Sequence, residues 1–142
     1  MRRQLHLMSS GFRRSSLRWS SRSLMVGASA ACFLAPPVLL DMGAAHRAAW
    51  VLQAALAYAS DYAWSGVPHW SHGADRWFST ALVCATAVSG ARRKGWRRVV
   101  LAAAPPLWCL ARSKSSTCPR RYAVWHTLWH MLGAAAAWHV LG

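Results

Sequence analysis

The sequence predicts an all-α protein, a polytopic transmembrane helical bundle of about four to five membrane segments. Three observations predict it. Apolar runs recur along the 142-residue chain at 24–40, 48–67, 77–90, 99–111 and 122–141. Charge is segregated from them: 17 Lys plus Arg face only 3 acidic residues, and the basic residues cluster between the runs. Such segregation is expected when apolar runs face lipid and the loops face water and anionic head groups. Finally, no alternation of apolar and polar residues competes for strand structure, and alanine is abundant. A soluble domain carries roughly 25% charged residues of mixed sign; here the figure is 14%, with no Glu.

The elements follow in order. Residues 1–23 form a basic tail rich in Arg and Ser without an acid, the composition of a targeting segment or of a cytoplasmic tail. The transmembrane helical domain then spans 24–142. Its first run is uncharged but interrupted by Pro36 and Pro37, and at 17 residues it is short for a bilayer crossing. The second run is apolar except for Gln53, small hydroxyls and Asp61. The third is short but extendable from Ala74. The fourth carries Pro105 and Pro106 at its middle. The fifth has the length of one crossing. Basic clusters at 92–98 and 112–121 separate the last three runs. Because both loops of the fourth run are basic, the positive-inside count leaves the orientation open. Localisation is expected to be an integral, multi-pass one in an organellar or endomembrane system.

Net charge of +14 also raises nucleic-acid binding. The basic residues, however, are short flanks of apolar helices with no nucleic-acid module between them, so no nucleic-acid partner is expected. Cys32, Cys84, Cys109 and Cys118 include no CxxC pair, and those inside apolar runs read as small buried hydrophobes.

Chemistry concentrates in two places. In the fifth run His126 and His130 are four apart, on one helix face and about 6 Å apart along the axis, a spacing at which two imidazoles can bind one metal ion. An ionisable residue within a membrane helix suggests function; a pair of interfacial histidines beside Trp125 and Trp129 is the structural alternative. At the end of the second run stand Ser65, His69 and His72, followed by Asp75 at the opening of the third. Asp75 also suits a helix N-terminus, where it complements the dipole. If the third and fourth runs both span, these residues and the two late histidines share one leaflet. Three imidazoles, His126 and His130 with His69 or His72 as its substitute, and one open position suit catalytic zinc. Asp75 then accepts a proton from water and Ser65 donates to a developing oxyanion.

This pattern, Ser-x3-His, an Asp at the next helix and a late HxxxH, resembles the superfamily of alkaline ceramidases and adiponectin-receptor-like membrane proteins. The stretch Trp125-His126-Thr127-Leu128-Trp129-His130 is similar to the final-helix motif of the alkaline ceramidases. The resemblance covers roughly 65–78 and 122–133. It implies zinc held by His69, His126 and His130, Ser65 and Asp75 beside the metal, and hydrolysis of a membrane lipid amide or ester. Two other classes use the same residues differently. A bis-histidine haem protein would take His69 and His130 as axial ligands, and a non-catalytic multi-pass protein would leave the histidines interfacial.

Overall fold

The computed structural model describes residues 11–14 and 22–142, and the basic tail expected over 1–23 otherwise lies outside them. Among the described residues the chain is helical, without a strand. Helix α1 (Leu24–Ser29) passes through a 3-10 segment (Ala30–Leu34) into α2 (Ala35–Leu39). The break has a local cause. Pro36 and Pro37 lack N–H groups and stand at the first positions of α2, where those donors are not needed. Helix α3 (Ala44–Tyr58) ends in a π-helical turn, Ala59–Ala63. Helices α4 (Trp70–Lys94), α5 (Trp96–Lys114) and α6 (Pro119–Leu141) complete the chain.

The third run therefore starts earlier than its apolar pattern announces. His69 caps α4, its Nδ1 accepting from the Ser71 backbone N–H at 3.3 Å. Asp75 is thus not the residue that opens this helix; it lies more than a turn inside it. Gly95 separates α4 from α5 alone, at φ 82°, a left-handed geometry that a side chain would strain.

Helix α6 is central. It packs on α1, the 3-10 segment, α2, α4 and α5. Its buried residues Ala123, His126, His130, Ala134 and Ala137 recur every three or four positions, as an inward-facing stripe requires. Trp50, Gln53, Ala54 and Ala57 make the matching stripe on α3. The two meet in a core of Ala30, Phe33, Trp50, Ala54, Ala57, Leu82, Ala134 and Ala137. Small residues let these helices approach closely. At Gly90 of α4 a Cβ would lie 2.9 Å from the Val140 side chain of α6. The far end of α6 is tied by two cations: Lys94 Nζ donates to the His139 carbonyl at 2.7 Å and Arg93 Nη1 to that of Leu141 at 2.6 Å. Both satisfy carbonyls that a helix end leaves open. At the other end, Arg76 gathers residues 11–14, donating to the carbonyls of Gly11, Phe12 and Arg14 at 2.8–3.0 Å.

No helix among the described residues is long and apolar enough to cross a membrane by hydropathy. In α6 the deficit arises partly from His126 and His130, which face the bundle interior. Elsewhere the surface is apolar to an unusual degree: Val38 is 77% exposed, Leu101 64%, Val100 62% and Trp108 56%.

Candidate metal centre

His126 and His130 occupy successive turns of the buried stripe of α6, with ring centroids 4.7 Å apart. Both direct Nε2 at one carboxylate. His126 Nε2 lies 3.0 Å and His130 Nε2 3.5 Å from Asp61 Oδ2. Asp61 sits in the π-helical turn that ends α3. A π turn carries one residue more than an α turn and re-aims the side chains that follow, which is why such turns recur at functional sites. Ligand atoms of Asp61, His126 and His130 all lie within 4.8 Å of one another.

Each imidazole is held from behind by a serine. Ser29 Oγ on α1 is 2.8 Å from His130 Nδ1 and 2.7 Å from the Val26 carbonyl. A carbonyl only accepts, so the single hydroxyl proton goes to Val26 and Ser29 accepts from His130 Nδ1–H. The Nε2 of His130 is then the nitrogen with the lone pair. Ser113 on α5 repeats the arrangement more loosely, donating to the Leu110 carbonyl at 2.8 Å with its Oγ 3.5 Å from His126 Nδ1. Two imidazole Nε2 atoms therefore converge on one carboxylate oxygen, that of His126 within hydrogen-bond distance of it, so that a proton or a cation lies between them. The side chains are 2–11% exposed. Acceptors packed this closely away from water repel unless a cation or a proton lies between them. Two imidazoles and one carboxylate with an open side is also a recognised ligand set for catalytic zinc.

The centre opens onto a cavity of about 600 Å³ whose walls include Asp61, His126 and His130 together with Gln53, Asp75 and Lys114. Asp75 is fixed there by Gln53, whose Nε2 donates to Oδ1 at 2.8 Å. Below Asp61, Ser60 donates to His72 Nδ1 at 3.0 Å, because His72 Nε2–H is already committed to the carbonyls of Val67 and Trp64 at 2.8 and 3.1 Å.

The residues singled out in the sequence divide accordingly. His126, His130 and Asp75 share the cavity. His69 does not join the cluster: its ring stacks on Trp64 at 4.2 Å and 11°, and Nδ1 engages Ser71. Asp61, and not His69, groups with the two late histidines, so the candidate ligand set is two histidines and a carboxylate where three histidines were expected. Ser65 is buried in the turn after the π segment, and its Oγ has no partner among the described residues. It is not among the cavity walls. His72 is buried and fully engaged as a structural histidine. Asp61 and Ser29 were not singled out in the sequence. One signal did mark Asp61: it is one of only 3 acids and interrupts an apolar run. Ser29 carries no such signal, being one small hydroxyl in an uncharged segment.

No protein-family model, curated protein or solved structure matches this chain.

Proposed function

We propose that this protein is a membrane-embedded, zinc-dependent hydrolase of a lipid amide or ester, with Asp61, His126 and His130 as the metal ligands. The observation that carries the proposal is the convergence of two serine-oriented imidazole nitrogens on Asp61 Oδ2, 3.0 and 3.5 Å away, at the wall of a cavity. The cluster suits a cation, because the two imidazoles of α6 and the carboxylate of the π turn are held from two separate elements at one point. Zinc in such a set supplies Lewis-acid polarisation of a carbonyl and lowers the pKa of water toward about 7.

The chain's own residues supply the rest. Asp75 is the second carboxylate of the cavity and the proton acceptor, held by Gln53 at Oδ1 and leaving Oδ2 for water. A second carboxylate is what hydrolysis needs and what a purely structural metal site does not. Lys114 brings positive charge to the same wall, suited to an anionic or developing-anionic group. Lipid access fits the exposed apolar side chains of α5, among them Val100, Leu101 and Trp108, which would otherwise face water. Membrane residence is further supported by the basic clusters at helix ends and by the similarity of the final-helix motif to the alkaline ceramidases.

The test is metal content. Purified in detergent, the wild type is expected to hold one zinc per chain, and His130→Ala to hold none while keeping its helical content. A folded wild type without metal would overturn the centre. Iron in place of zinc would overturn the hydrolase assignment, since two histidines and a carboxylate also serve non-haem iron.

A further inference from the structure

Two buried polar atoms of the cavity wall have no partner. Gln53 is 3% exposed and Trp50 4% exposed, and both line the cavity that holds the metal ligands. Gln53 Oε1 and Trp50 Nε1 find no hydrogen bond among the described residues. The amide orientation of Gln53 is fixed, because its Nε2 must donate to the Asp75 carboxylate. Oε1 is therefore an acceptor held in place. The two residues are three apart on α3, so they share one face. A buried acceptor and a buried donor left unmade each carry a desolvation cost, on the order of 1–3 kcal/mol. Groups of this kind in a binding cavity are satisfied by the ligand.

The walls around them say what else the ligand carries. Trp50, Val83, Leu107, Trp129 and Gly133 line both the metal cavity and a second, almost wholly apolar cleft between α4, α5 and α6. Trp50 stands where the two meet and Gln53 one turn away on the wall of the metal cavity, so a molecule with its reacting carbonyl at the centre and its chain in the cleft passes over the pair.

We infer that Gln53 and Trp50 are the specificity-determining pair of this cavity, accepting a hydrogen bond from a donor beside the substrate's reacting carbonyl and donating one to an adjacent oxygen. A chain bearing an N–H at that position satisfies Gln53 Oε1; the ester of equal length leaves it unpaired. Sites built to hydrogen-bond a substrate group reject analogues lacking it far more strongly than apolar pockets reject a missing methylene. This assignment rests on the metal centre proposed above and goes further by naming what selects among carbonyl substrates.

A long-chain acyl hydroxamate and its N-methyl analogue test the pair, since both present the same two oxygens to zinc and only the first keeps the N–H. Binding to the zinc-loaded full chain in detergent is measured by calorimetry. The wild type is expected to favour the N–H compound by on the order of tenfold or more. Gln53→Met should bind both compounds and lose the preference. Trp50→Phe should weaken both alike and keep the preference, which preserves the test where Gln53→Met does not fold. Zinc loading with equal affinity for the two compounds in the wild type would overturn the pair alone. Failure of the wild type to load zinc, or of either compound to bind the loaded protein, would overturn the centre and the pair with it.

Discussion

Two serines decide which nitrogen of each late histidine faces the cavity. Ser29 spends its proton on the Val26 carbonyl and so holds His130 by accepting from Nδ1. Outer hydrogen bonds of this kind typically change metal affinity by about 10–100-fold when removed. Ser29→Ala is therefore expected to weaken zinc binding within that range while the chain remains folded, as read by competition with a chelator. The looser Ser113 contact, at 3.5 Å, predicts a smaller effect for Ser113→Ala. Equal affinity of Ser29→Ala and wild type would mean that the packing of Phe33, whose ring meets His130 edge-on at 5.0 Å, orients the imidazole unaided.

Among elements, the π-helical turn Ala59–Ala63 bears most directly on the site. Its additional residue is what turns Asp61 toward α6. Deleting Ala59 should restore α-helical winding and rotate Asp61 by about 100°, the angle per residue of a 3.6-residue turn. Zinc content is expected to fall to background with circular dichroism nearly unchanged; a variant that still holds zinc would show that another group replaces Asp61. No sequence periodicity announces such a turn, which is why Asp61 went unselected and His69 was expected in its place. The His126–His130 spacing, by contrast, was legible because four residues is the repeat of an ordinary helix. The start of α4 at Trp70 was not legible, because the apolar run begins only at 77 and extends back no further than Ala74. The burial of its first turn comes from tertiary contacts: Ser71 and His72 are 0% and 2% exposed. The helical character of the five runs was fully legible, since apolar stripes and proline placement are local properties. The packing of α6 on α4 and α5 was not, because it depends on which small residues happen to meet.

At the scale of the whole molecule, a polar cluster is buried beside the apolar core while large apolar side chains stand exposed. Buried His126, His130, Gln53 and Ser60 lie inside, and Val38, Leu39, Val100 and Leu101 lie outside. The proposed membrane setting would give those exposed side chains an apolar solvent. The protein is expected to stay with vesicles through alkaline carbonate washing and to leave them only with detergent. Release by carbonate would place it at the surface of the bilayer and restrict the centre to substrates presented from the head-group side.

The central position of α6 also bears on biogenesis. It follows the other described helices in the chain, yet α1, α2, α4 and α5 all pack against it, and it carries two of the three proposed ligands. A nascent chain that has not yet released residues 119–141 from the ribosome holds Asp61 without His126 and His130. Until α6 follows them, the earlier helices lack the surface on which they pack. Assembly of the proposed centre and packing of the bundle around α6 are then one event.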